Sequence, residues 1–505
     1  MTDTTHNAPD AFTEGTYIPK SYQFERDMDV SEHAKRYDTI RFEEDSNTHF
    51  TYSNMSDLLE TEDGKKTLQE MIRRFMYSQK ERIEILDDYS KGDNYTVLHG
   101  RRRLEEEKSD YRIRHNWGGY ISGFITGNIL GKPITIGLAE GTESDDLDDI
   151  NVIIGENDLD ALNYELGFDT SRFGRAFELH YRDADKVDRI VLIDPTEMFV
   201  IRDETVANEI IGAVHCPVYN GKLYVTIYTD KQAIALKPTE PSLPKIEEEQ
   251  RTEHYYDDVP VVEWWNNRFR QGDFENEIPL IDAYDAAQSD TANYMSDLND
   301  ALLVINGDMN ASGLTLTDAE KMKRANMLLL ETGVGVDGKQ TSLTAGYIYK
   351  QYDVAGTEAY KKRIVNDIYN LSNVPNLEDD KFNSSQSGIA LKYKMLGLDQ
   401  KRATKVSFYK KALRRRFRLI QNVHKNLSDV EIDASKLTFV FHENLPQDVW
   451  AEVKQYIDSG GEVSQQTLRD LATFTTNELE TDRLDREDTQ AREPLMTDEE
   501  KAEMG

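Results

Sequence analysis

Between Leu391 and Lys425 an otherwise acidic chain turns basic. The window holds twelve Lys/Arg against a single acid, Asp399, a net of +11 in a chain of net −34, so the rest of the sequence carries −45. Leu391, Met395, Leu398, Val406, Tyr409, Leu413, Phe417 and Ile420 recur through it at helical spacing, which predicts one long helix with an apolar stripe. Such a helix meets either a polyanion or an acidic part of its own protein. The phosphate-binding reading rests on the charge alone. The packing reading is favoured, because Lys410, Lys411, Arg414, Arg415, Arg416 and Arg418 surround the axis instead of sharing one face, as suits a helix buried on one side and ion-paired on the others.

At 505 residues the chain exceeds what one core sustains, and two to four domains are expected. No apolar run approaches the ~20 residues of a membrane span, and the opening MTDTTHNAPD lacks the basic and apolar regions of a secretory signal. The one cysteine, Cys216, excludes an intrachain disulfide and suits a reducing compartment. The net charge disfavours wrapping of duplex DNA but allows DNA to pass without adhering.

Residues 1–62 are polar and unpatterned and read as an extended, partly disordered arm. A helix is predicted from Lys65 to Tyr89, stopped at Gly92. An apolar segment Tyr120–Leu130 and a strand Ile134–Ile136 follow. The acidic stretch Ser144–Asp149 reads as a loop, and a helix capped by Asn157 runs to Phe168. Short runs at 176–181, 189–193, 198–201, 210–215, 223–228 and 233–236, rich in Val, Ile, Tyr and Phe, predict an antiparallel sheet. A loop over 237–250 precedes Tyr255–Trp265. Pro279–Val304 reads as one long helix carrying Asp282, Asp285, Asp290, Asp297 and Asp300. A mixed segment follows, with a helix over 317–330 and a strand over 347–352. A helix over 357–371, closed by Pro375, leads to a polar loop, 373–387, and then to the basic helix. A strand 437–441 and two short helices, 446–459 and 464–471, precede a charged tail.

Gly333 to Lys339 fits G-x-x-x-x-G-K, but Gln340 stands where a P-loop needs Ser or Thr, and no apolar helical stripe follows. Asp337-Gly338 is a hairpin-turn signal, and a turn is the favoured reading over a nucleotide site using Lys339. The histidines show no zinc spacing, and no nucleophile elbow appears. Trp264-Trp265 and the tyrosines suit packing better than base stacking, since few cations interleave them. No catalytic residue, cofactor site or metal site is predicted.

The ordered series resembles the portal proteins of long-tailed, siphophage-type bacteriophages. It is carried by Asp87-Asp88-Tyr89-Ser-Lys-Gly92, Tyr120-Ile-Ser-Gly123 with Gly131-Lys-Pro133, Leu280-Ile-Asp-Ala-Tyr284, Ser387-Gly388-Ile-Ala-Leu-Lys392 and Ser464-Gln-Gln-Thr467-Leu468. The resemblance covers about residues 65–490. It implies an α+β portal fold: a wing over 63–278, stem helices 279–304 and 355–372 around a clip 305–354, a tunnel loop 373–387, a wing helix and strand over 388–442, and a crown 443–490. The arm 1–62 and the acidic tail 491–505 lie outside it. It further implies a non-enzymatic ring, usually of twelve subunits, at one capsid vertex. The ring is made in the host bacterial cytoplasm and passes double-stranded DNA during packaging and ejection. Its partners would be the terminase large subunit, then a head-completion (adaptor) protein, with the major capsid protein and scaffold around it, and no membrane.

Under that resemblance, Asn373, Asn376, Lys381, Asn383, Ser384, Ser385 and Gln386 would meet DNA, and the five aspartates of helix 279–304 would face the channel and repel it. Lys410, Lys411, Arg414, Arg415, Arg416 and Arg418 would hold the wing and adjacent subunits together. The rival readings are a P-loop NTPase using Lys339 and another virion structural protein, such as a baseplate or minor head component.

Overall fold

A buried acid in each of two apolar strands, Glu178 and Glu263, sets the plan of this fold, because each must lie where a cation can reach it. The computed structural model describes residues 47, 49–99, 109–138, 145–183, 187–242, 244–297, 302–307, 327–331, 344–348, 353–376, 395–427 and 433–442. The chain divides into two units, Met1–Asn444 and Leu445–Gly505, and every described residue lies in the first.

A short strand β1 (Phe50–Thr51) leads to α1 (Met55–Glu60) and α2 (Glu62–Arg74), capped by the side chains of Asn54 and Thr61. A five-residue π-helical turn, Phe75–Gln79, joins α2 to α3 (Lys80–Lys91). That helix ends on Gly92 at φ 83°, a left-handed stop that glycine adopts without strain. Then come α4 (Tyr95–His99), α5 (Trp117–Leu130), β2 (Thr135–Leu138), α6 (Asp145–Glu156) and α7 (Leu159–Phe173). Next are β3 (Arg175–Arg182), β4 (Asp188–Ile193), β5 (Met198–Arg202), β6 (Ile210–His215), β7 (Val218–Tyr219), β8 (Lys222–Leu223), β9 (Thr226–Tyr228), β10 (Gln232–Leu236), β11 (Glu248–Glu253) and β12 (Val261–Trp265). The chain continues through α8 (Ile278–Asp297), β13 (Leu302–Gly307), β14 (Met327–Glu331), β15 (Thr344–Ile348), α9 (Val354–Ser372), α10 (Leu396–Leu427) and β16 (Leu437–Val440).

The strands form two main sheets, ordered β1-β5-β6-β9-β10-β11 and β12-β3-β4. β5 is buried throughout, and its side chains divide by the two-residue period of a strand. Phe199 and Ile201 join Phe50, Leu58, Ile72 and Phe75 on the α1–α2 side, while Met198 and Val200 join Phe177 and Val261 of the three-stranded sheet. On the other face of that sheet lies α10: Trp264 packs on Tyr409 with ring centroids 5.3 Å apart. The layers therefore run helix, sheet, sheet, helix. β16 returns from α10 to pair antiparallel with β2, Leu437 opposite Leu138, and Phe439 stacks on Phe417. Separately, β13 pairs parallel with β14 and antiparallel with β15.

Several expectations are corrected. The arm is shorter than residues 1–62, because Phe50, Met55 and Leu58 enter the core. Residues 145–149 belong to a helix, Asp145–Glu156, instead of a loop. Asn157 is no cap for α7; its side chain donates to the Ile153 and Asp188 carbonyls and accepts from the Ile190 amide. β11 occupies part of the expected 237–250 loop, and the long aspartate helix stops at Asp297. β14 occupies Met327–Glu331, at the end of the stretch expected as a helix. The expected helices 446–459 and 464–471 lie outside the described residues.

Candidate functional site

The basic helix α10 is built into its own chain. Arg416 is fully buried. Its Nε stands 3.1 Å from both Glu178 carboxylate oxygens, and a terminal nitrogen donates to Asn163 Oδ1 at 2.7 Å. Burial opposes ionisation of Glu178, but the Arg416 guanidinium overrides it and holds the carboxyl down at about 2. Arg415 donates to the Val261 and Val259 carbonyls and to Asp258 Oδ1 at 2.9 Å, and Arg418 reaches Asp258 Oδ2 at 3.3 Å. Of the two expected roles, holding the wing and holding adjacent subunits, these contacts serve the first: Arg415 and Arg416 pair inside the chain. Lys410 is half-buried, and Lys411 and Arg414 are exposed.

Toward its N-terminus α10 anchors a second knot. Lys405, fully buried, pairs with Asp273, which also accepts from Ser171 Oγ and Asn266 Nδ2. Burial pulls the Lys405 ammonium down to about 8. Asp273 is held well below the usual carboxylate range: burial works against its charge, but Lys405 and Lys401 outweigh it. Lys401 spans 3.1 Å to Asp273 Oδ1 and 3.0 Å to the Ser372 carbonyl at the end of α9, where a cation also meets the negative helix terminus. Lys401 therefore clasps together the chain entering and leaving the segment between α9 and α10.

Asn373 caps α9 in the left-handed region at φ 60°, and Asn376 is described. Lys381, Asn383, Ser384, Ser385 and Gln386 lie outside the described residues, as do Asp300 and Lys339. β15 occupies Thr344–Ile348, a stretch that the helix of a P-loop starting at Lys339 would have to include.

The aspartates of α8 divide. Asp285 is fully buried and pairs with His115 Nδ1 at 2.7 Å, and Asp282 Oδ1 accepts from Tyr89 OH at 2.6 Å. Asp285 is enclosed within the chain, which corrects the sequence expectation for that residue, while Asp282 is half-buried; the enclosure comes from residues 109–115. That extended segment runs antiparallel along α8, and alternate residues meet successive turns of the helix. Ser109 Oγ bonds Ser296 Oγ, the Tyr111 amide bonds Asn293 Oδ1, the Ile113 amide bonds Ser289 Oγ, and His115 meets Asp285. Two extended residues advance about 6.6 Å and four helical residues about 6 Å, so the two periods stay in step. Asp290 is exposed and Asp297 half-buried. Across α8 and α9, Lys361 Nζ donates to Gln288 Oε1 and Thr291 Oγ1 at 3.3 and 3.4 Å.

Sequence reading missed Asp273, Lys401 and the knot at Glu263, whose carboxylate meets Arg202 at 2.7 Å and Arg270 at 2.9 Å. A signal existed: Phe177-Glu178-Leu179 and Val262-Glu263-Trp264 each set one acid inside an apolar strand, which demands a cation from elsewhere. Among the described residues no group of His, Cys, Asp and Glu could hold a metal ion, and no helix is long and apolar enough to cross a membrane.

No curated protein matches the chain. A solved chain described as the neck of an empty GTA particle, computed with C6 symmetry, superposes with a TM-score of 0.41 at 11% identity, covering 75% of this chain and 98% of that one. The sequence model for the phage portal protein family, SPP1 Gp6-like, matches residues 75–494. That span includes the knots that bind α10 to the body and the helix pair α8–α9, and the chain belongs to this phage portal protein family.

Proposed function

We propose that this portal protein works as a ring of identical subunits, twelve in the assembled head, set at one capsid vertex and passing double-stranded DNA during packaging and ejection. The observation that carries the reading is the family match through residues 75–494. Residues 63–278, together with 388–442, are the wing; helices 279–304 and 355–372 are the stem; residues 305–354 are the clip; residues 443–490 are the crown. The clip docks the terminase large subunit and later the head-completion protein, while the wing meets the major capsid protein and scaffold. The chain serves as a conduit and assembly hub with no catalysis of its own.

Residues 373–387 are the tunnel loop, with Asn373, Asn376, Lys381, Asn383, Ser384, Ser385 and Gln386 as its DNA contacts. The clasp of Lys401 on Ser372 supports this reading, because it fixes the base from which the loop departs. Asp282, Asp290, Asp297 and Asp300 remain the acidic channel candidates, repelling DNA and limiting adhesion. Electron microscopy and native mass measurement test the reading: rings with a central channel are expected, and a stable monomer under every assembly condition, scaffold included, would overturn it.

A further inference from the structure

A groove of about 400 Å³ lies between α10 and the β5–β6 turn, with Arg202, Trp265, Lys411, Arg414 and Arg418 among its walls against two acids, Glu209 and Glu263. It is a basic recess in a strongly acidic protein. Trp265 is already crowded by cations, with Arg270 at 3.9 Å, Arg202 at 5.0 Å and Lys411 at 5.2 Å from its ring. Arg418 and Arg415 share Asp258. The neighbouring Lys411 and Arg414 are exposed, and no carboxylate pairs with either among the described residues.

The same chain displays the opposite charge on β11. Every residue of that strand is exposed, and β11 is the outer strand of its sheet. Glu248 is engaged by Arg251 and Glu247 by Lys237. Glu249 stands at a bulge in the pairing with β10, an arrangement that re-aims a side chain, and Glu253 follows four residues on. These two acids span about 13 Å of strand; Lys411, Arg414 and Arg418 span about 10 Å of helix.

We propose that the groove of one subunit receives the acidic outer strand β11 of a second copy. The proposal rests on the ring reading above. A chain cannot fill its own groove this way, because β9 and β10 separate β11 from β6 in one hydrogen-bonded sheet. Groove and strand are different surfaces, so the contact is head-to-tail, and such a contact repeats from copy to copy and closes a ring when its rotation permits. Opposed patches also give strongly like-charged copies a fixed register in which to approach.

The test compares the full chain with Lys411→Glu/Arg414→Glu, with Glu249→Lys/Glu253→Lys, and with all four changes together. Assembly is read by light scattering and native mass at low and high salt, and folding by circular dichroism, which exposed positions leave unchanged. Each pair alone is expected to raise the half-assembly concentration at least roughly tenfold, and the fourfold variant to recover most of that loss. Arg414→Cys with Glu249→Cys should cross-link between subunits through a short bismaleimide; the native Cys216 is buried. Wild-type rings whose assembly the reversals leave unchanged would overturn the docking while leaving the ring reading intact. So would loss of assembly without charge-swap rescue, absence of the cross-link, or loss of DNA binding with normal assembly. Wild-type protein that never assembles would overturn both readings.

Discussion

Replacing Arg416 by Met keeps most of the side chain's volume and removes its charge. Glu178 would then remain fully buried, without its two 3.1 Å contacts to Arg416 Nε, and Asn163 would lose the donor at 2.7 Å. His180, 3.2 Å away, stays as the remaining partner of the carboxylate. Breaking a buried pair from one side costs about 3–5 kcal/mol, and that loss is expected in chemical denaturation followed by tryptophan fluorescence at fixed protein concentration. The pH dependence carries a sign. In the wild type the folded value of Glu178 is depressed to about 2 from 4.5. Its contribution is therefore complete above the unfolded value and lost as pH falls from about 4.5 toward about 2. In the variant, burial without a guanidinium favours the neutral acid, so the deficit should shrink between about pH 8 and about pH 5. The double variant Arg416→Met/Glu178→Leu should return to within about 1–2 kcal/mol of wild type. A single variant costing under about 1 kcal/mol, or a double variant costing the sum of both singles, would refute the pairing argument.

Gly174 sits at φ 85°, where a Cβ would stand 2.0 Å from the Arg270 carbonyl oxygen; Gly174→Ala should cost over about 3 kcal/mol, whereas Gly123→Ala, with nothing within 4 Å of its Cβ, should be neutral or stabilising by up to about 1 kcal/mol, both read by denaturant midpoints. Deleting residues 376–385 should spare rings in electron micrographs and impair genome packaging or DNA retention in phage complementation; normal phage yield would count against the loop assignment. Lys339→Ala should leave a negligible ATP turnover unchanged, and a rate abolished by the change would revive a nucleotide site.

The basic helix was legible because its signal is local: the stripe Leu398, Tyr409, Leu413, Phe417 and Ile420 is buried in α10, and strands such as Ile210–His215 announce themselves through β-branched residues. What stayed hidden depends on partners far along the chain. Arg416 and Glu178 lie 238 residues apart, and nothing in either neighbourhood names the other. Asp285 read as a surface acid because helix periodicity gives a face but not what covers it, and here the cover is His115 with Asn94. The polar composition around Phe50 and Met55 likewise masked two core residues, since a two-residue strand and a six-residue helix are too short for a period to show.

The distance between Glu178 and Arg416 also sets a clock. Ribosomes add about 5–20 residues per second, so the guanidinium that neutralises this carboxylate is made roughly 10–50 s after it. From the synthesis of β12 until that of α10, β3 and β12 present Glu178 and Trp264 on a sheet whose covering helix does not yet exist. Neighbouring ribosomes on one message carry the same unfinished sheet and, a little further along, the helix that fits it. The native body is thus completed late in synthesis, and exchange of α10 between nascent chains is the misfolding route this architecture invites.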